Sequence, residues 1–273
     1  MIYVPAGDFL FGNADDEDRV NLFMTTPLFR RSTGAYLIAR TEVTFGDWLA
    51  YVEAQPAGAR AALLPQIVGQ MTGSVAVYPD GKGHWRIELV IGDRHYAAGW
   101  NEPIRYEGRT THAEQDWRRF PVLGIPAGAA TAYAAWLDTT GRLAGARLCN
   151  EREWERAARG ADDRPYPGGR RIAPDEANFD QSHLGHAGPD EVGAHPASRS
   201  PFGLDDTFGS SFEWTIGEVL KKQPTDSPSY LVRGGSYQHD RKSGNLTNRA
   251  SMTGKERDAS VGFRLCATPP LPR

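Results

Sequence analysis

Every strong helix signal in this chain lies before residue 160, and the remainder, to residue 273, is punctuated by Gly and Pro between short apolar runs. Thr44 precedes FGDWLAYVEA, where Phe45, Trp48, Leu49 and Val52 recur at helical spacing, so Thr44 is the expected N-cap. Pro126 opens AGAATAYAAWLDTT, which Gly141 ends, with Ala129, Tyr133, Trp136 and Leu137 on one stripe. Asn150, with Glu153 three residues on, starts a third helix through WERAAR, and Gly160 stops it. Helices gathered in one half and short strands in the other imply an α+β fold with a small twisted sheet.

Between the first two helices, residues 74–108 alternate in hydrophobicity and are interrupted at Asp80-Gly81-Lys82-Gly83 and at Gly92-Asp93. This predicts a three-stranded antiparallel meander. It reads as an insertion, at about 56–118, into one domain spanning 1–273. A hydrophobic content of 40% can fill such a core.

The net charge of −3 and pI near 6.2 give no clustered basic face, so nucleic acid is not an expected partner. Arg30-Arg31 and Lys221-Lys222 read as solvated surface. No window approaches the length of apolar sequence that spans a bilayer, and MIYVPAGDFLFG reads as a first strand rather than a signal core. A cytoplasmic protein without membrane insertion is the expectation, with Met1 either a native start or a cut in a longer polypeptide.

Catalytic motifs are sparse. The two cysteines, Cys149 and Cys266, do not form a zinc pattern. Each follows Arg-Leu, and three readings stay open: buried small side chains, a disulfide joining mid-chain to the last strand, or a reactive thiol. Among seven histidines, only His183 and His186 are close in sequence, in a Gly-rich loop where surface residues are commoner than ligands. No phosphate-cradling glycine loop joins a strand to a helix, and no nucleophile elbow is present.

Several segments together resemble the formylglycine-generating enzyme, or sulfatase-modifying factor, family: IYVPAGDFLFG, ARTEVTFGDWLAYV, RLCNEREWERAARG, EANFD, SPFGLDDTFGSSFEWT, and the closing RGGSY and GFRLC. The resemblance implies a C-type-lectin-like core, a twisted antiparallel sheet with flanking helices and a loop-rich half. Catalytic relatives hold copper(I) on two C-terminal cysteines, a soft ion on soft ligands. Here those positions fall near Arg241 and Leu246, so copper is not an expected cofactor. A second branch of the family, iron-dependent sulfoxide synthases, holds its metal on histidines of an additional helical domain outside this sequence.

The resemblance also places Asp206, Gly209, Ser211 and Glu213 on calcium-coordinating positions, two side chains and two backbone carbonyls. A structural calcium ion is therefore the expected cofactor, against an unoccupied hydrogen-bonded turn. The Gly-Asn-X-Trp-Glu-Trp pattern of the family becomes Gly209-Ser210-Ser211-Phe212-Glu213-Trp214, keeping the acid and the final tryptophan.

With the thiols displaced, the expected function is non-catalytic recognition of a protein or small ligand. The expected surface is Trp214, Tyr237, Gln238, His239, Asp240, Arg241, Asn245, Asn248, Arg249 and Met252, a mixture of aromatic, charged and amide groups. One form of it is a diversity-generating retroelement variable protein, displaying a C-terminal lectin-type surface. Another is a sensory or docking module fused to, or associated with, a signalling kinase. The rival class is a metal-dependent oxidase, and internal hydrogen bonding is the alternative use of the same polar residues.

Overall fold

The capping chemistry expected at Thr44 is present. In the computed structural model, which describes residues 1–15, 17, 24–71, 73–217 and 229–269, Thr44 and Asp47 exchange side-chain to backbone hydrogen bonds of 3.1 Å. That reciprocal pair satisfies two otherwise orphaned N–H groups and starts α1 (Phe45–Glu53). A short helix not signalled by the sequence pattern, α2 (Ala57–Leu63), follows Pro56. Pro126 occupies the cap position of α3 (Ala127–Thr139). Asn150 and Glu153 cap α4 (Glu151–Arg159) reciprocally, and Gly160, at φ 84°, ends it.

The chain's first and last strands meet in one antiparallel sheet, in the order β1 (Ile2–Val4), β4 (Tyr36–Ile38), β16 (Leu265–Ala267), β11 (Ala146–Leu148). A hairpin, β2 (Gly7–Phe11) with β3 (Phe29–Thr33), lies against α4. Arg30 and Arg31 on β3 are exposed, whereas Lys221-Lys222 lies outside the described residues. The loop-rich half carries a second sheet: β14 (Arg249–Met252), β13 (Ser229–Arg233), β12 (Phe212–Gly217) and β15 (Val261–Gly262), the last pair parallel.

The meander has four strands rather than the three that alternation predicts: β5 (Gln66–Gln70), β6 (Gly73–Pro79), β7 (Trp85–Ile91) and β8 (Arg94–Ala98). Strand β5 escapes a pattern search because its register shifts between Ile67 and Gln70, which breaks the period of two. A small pair, β9 (Ile104–Arg105) and β10 (Glu114–Gln115), closes the segment.

Two of the three buried apolar clusters among the described residues organise these layers. Trp48 of α1 packs on Tyr133 of α3 and on Phe263, with ring centroids 5.7 and 6.0 Å apart, and Ile67, Val75 and Ile87 of the β5–β8 sheet join this cluster. A smaller one gathers Val4, Tyr36, Ile38, Trp154, Leu204 and Leu246 beside the paired cysteines. Helix α4 differs from both, being charged yet buried along nearly its whole length. Glu155 pairs with Arg159 and Arg233, and Glu151 with Arg249, so its charges are matched inside the protein.

Candidate functional site

Strands β13 and β14 present Arg233 directly opposite Arg249, and both guanidinium groups point back at the acids of α4. Arg249 also donates to the Met24 carbonyl at 2.9 Å. Its expected place on a binding surface is thus corrected: it ties β14 to α4. Trp214 is likewise internal, donating its indole N–H to the Ile125 carbonyl at 2.7 Å.

Tyr237 is buried and accepts from Gln238 Nε2 at 3.0 Å. Asn245 Oδ1 accepts from Thr247 N at 3.0 Å, and Asn248 Nδ2 donates to the Ser243 carbonyl at 2.7 Å. Their burial is tolerated because these amides and hydroxyls satisfy the segment's own backbone groups. Met252 stands apart on β14, opposite Tyr230.

What remains accessible is the turn Gln238, His239, Asp240 and Arg241. His239 Nδ1 lies 2.7 Å from Ser236 Oγ, its ring meets Phe212 at 4.6 Å, and burial lowers its pKa below the usual imidazole value. Arg241 lies over the Phe179 ring, with its guanidinium carbon 5.8 Å from the centroid. Asp180, not singled out by sequence, joins this rim: its backbone N–H donates to the His239 carbonyl at 3.2 Å. Partial burial and the neighbouring Asp240 raise its carboxyl pKa. Asp240 is held below the ordinary value by hydrogen bonds from Ser243.

The expected calcium residues lie together at the turn before β12. Gly209, at φ 75°, is obligatory, because a Cβ there would stand 2.1 Å from the Asn178 carbonyl oxygen. Asp206 is also in the left-handed region, at φ 56°, and its Oδ2 accepts from Gly193 N at 2.5 Å. Glu213 has both oxygens engaged, by Arg264 at 2.6 and 2.7 Å and by Trp154 Nε1 at 2.8 Å. Ser211 Oγ donates to Glu42 Oε1 at 3.5 Å, while Glu42 Oε2 is buried without a hydrogen-bond partner.

Three buried carboxylates, Glu42, Asp206 and Glu213, therefore surround Arg264. Burial and repulsion from Asp206 push Glu42 well above the usual carboxylate range, and burial brings Asp206 to about 6. Such a surplus favours uptake of a proton or a hard cation. Since Arg264 occupies Glu213, the donors left for calcium are Asp206 and the carbonyls of Gly209 and Ser211.

The two cysteines resolve into one bond. Cys149, just after β11, is disulfide-bonded to Cys266 on β16, with Cα atoms 4.8 Å apart. The positions expected for copper thiolates hold Arg241, half-buried at the rim, and Leu246, fully buried in the smaller apolar cluster.

The domain family described as sulfatase-modifying factor enzyme 1-like matches residues 1–269. The chain belongs to this family. It is 33% identical over 164 residues to the inactive C-alpha-formylglycine-generating enzyme 2 of Bos taurus, covering 55% of this chain and 50% of that protein. It is 37% identical over 244 residues to the hercynine oxygenase of Mycolicibacterium smegmatis, covering 85% of this chain and 48% of the relative. The chain thus spans about half the length of these curated relatives. The solved structure of Treponema denticola variable protein 1 superposes with a TM-score of 0.66 at 20% identity, covering 98% of this chain and 95% of that one. The formylglycine-generating, C-type-lectin-like fold expected from sequence is the fold present.

Proposed function

We propose that this chain is a non-catalytic recognition domain of the sulfatase-modifying factor family. The carrying observation is the disposition of sulfur. Both cysteines are joined to one another, and the positions that the family resemblance assigns to copper ligands hold Arg241 and Leu246. Copper(I) oxidation of a substrate thiol needs accessible thiolates at those positions. The similarity to a relative named as inactive supports the same reading.

The contact surface is the turn Gln238–Arg241 with Asp180, and its partner is a protein. Its two carboxylates, one guanidinium and one imidazole can be matched by complementary charge, while the buried network beneath holds them in place. Display of changeable residues on a rigid frame would also suit the retroelement variable-protein reading, to which the fold of the Treponema protein lends support. Calcium at the Asp206 turn is a structural ion in this proposal, offsetting the surplus negative charge. Addition of calcium should then raise the melting temperature, and Asp206→Asn should abolish the rise.

The test of the recognition role is a partner screen by crosslinking and mass spectrometry. It compares the wild-type chain with a variant carrying Gln238→Ala, His239→Ala, Asp240→Ala and Arg241→Ala. Loss of one reproducible partner, with the melting temperature retained, is expected. An unchanged set of partners removes the surface.

A further inference from the structure

We propose that His183, Asp190 and His195 form a binding site for a divalent first-row transition metal ion, separate from the calcium turn and from the family's copper positions. His183 Nε2 and His195 Nε2 converge on a single oxygen, Asp190 Oδ2, at 2.9 and 2.8 Å. The three donor atoms lie within 4.8 Å of one another, the only such group of His, Cys, Asp or Glu among the described residues. All three side chains are at least nine-tenths buried. Two imidazoles and a carboxylate on one side of a centre are a donor set suited to Zn²⁺ or Fe²⁺.

The surroundings already orient these donors. Asp190 Oδ1 accepts from Arg109 Nη1 at 2.6 Å and from Gln115 Nε2 at 2.9 Å, which leaves Oδ2 as the oxygen facing the imidazoles. His195 Nδ1 faces the Asp175 carbonyl at 3.5 Å. With a metal on Nε2 the ring proton moves to Nδ1, and that carbonyl is its acceptor.

A third imidazole and a cavity adjoin the site. The ring of His112 lies 4.9 Å from that of His195 and 6.0 Å from that of His183. Its backbone has φ 51°, a left-handed conformation uncommon outside glycine. Arg109 and Gln115, the side chains that hold Asp190, also donate to the His112 carbonyl, at 3.4 and 3.1 Å. His112 and Gln115 line a cavity of about 240 Å³ together with Arg119 and Glu191. The three donors do not themselves line this cavity, which meets the site through the His112 ring, beside both imidazoles, and through Gln115, bonded to Asp190.

Without a metal, the same geometry is a closed hydrogen-bond network, and titration separates the two cases. Untagged protein, stripped with chelator, is titrated with Co²⁺ as a spectroscopic probe and with Zn²⁺ by calorimetry. One equivalent is expected, with visible cobalt bands that Zn²⁺ displaces. His183→Ala and His195→Ala should each weaken binding about tenfold or more, whereas His95→Ala, at an exposed position of β8, should not. Should the first two variants lose their fold, the ring signals of the wild-type histidines decide: Zn²⁺ should shift His183 and His195 together. Absence of saturable binding by the wild-type chain overturns the proposal, as does binding that survives a folded His183→Ala, His195→Ala double variant.

Discussion

Two buried charge clusters lie side by side in the loop-rich half, where Asp206 accepts from the backbone of Gly193 close to His195, and they settle their carboxylates in opposite ways. At the turn before β12, Glu42, Asp206 and Glu213 share Arg264, Glu42 Oε2 lacks a hydrogen-bond partner, and burial raises both Glu42 and Asp206. Asp190 is equally buried, and burial alone would raise it too. Hydrogen bonds from His183 and His195 and the charge of Arg109 outweigh that penalty and hold it well below the ordinary carboxylate value. Burial does not by itself fix the charge state of an interior acid; the number of donors aimed at each oxygen does.

The largest expected break of this contrast is Arg264→Met. Removing the guanidinium shared by three buried carboxylates should cost about 3–5 kcal/mol at neutral pH, read as the urea unfolding midpoint at constant slope. Part of the loss should return in mild acid, where the carboxyls take up protons. Arg109→Met should cost less, about 2–3 kcal/mol, because Asp190 keeps Gln115 and two imidazoles as donors. Equal losses in the two variants would erase the distinction.

The pH dependence sharpens the contrast further. Folded Asp206 takes up its proton near 6 instead of its ordinary 3.8, so between those values the folded chain binds more protons than the unfolded one. Its contribution to stability therefore falls as pH rises through that window, and Asp206→Asn should flatten the slope. Asp190 contributes with the opposite sign. Its stabilisation is full above the unfolded carboxylate range and is lost as pH falls toward its depressed folded value. The smallest effect belongs to Glu42→Gln, which replaces a carboxyl already pushed toward its protonated form by an uncharged amide and should be neutral or stabilising by up to about 1 kcal/mol at pH 7. A loss above that size would mean that Glu42 is ionised and held by Arg264, whose Nη2 lies 3.9 Å from its Oε2.

Local signals were the legible ones. Thr44, Asn150 and Gly160 announce their helix ends because capping acts over three or four residues. The buried character of α4 was not legible, since its acids look like a solvated face until Arg233 and Arg249 arrive from strands far along the chain. Cys149 and Cys266, with a sequence separation of 117, leave three readings open that only the adjacency of β11 and β16 decides. Sequence proximity also drew attention to His183 with His186, whereas folding brings His183 to Asp190 and His195. His186 instead packs against Gly108, where an added Cβ would meet its ring at 2.2 Å. For the C-terminal segment, polarity signalled exposure, yet Tyr237, Asn245, Asn248 and Arg249 use their polar groups inside the protein.

The proposed recognition role requires that the C-terminal frame carry no thiolate chemistry. Its most direct test is competition for copper(I) between this chain and a chromophoric chelator under anaerobic conditions, paired with a count of free thiols in denaturant without reductant. No copper equivalent withdrawn from the chelator, and no free thiol, is the predicted result. One tightly held copper(I) that disappears on Cys266→Ser, accompanied by two titratable thiols, would contradict it.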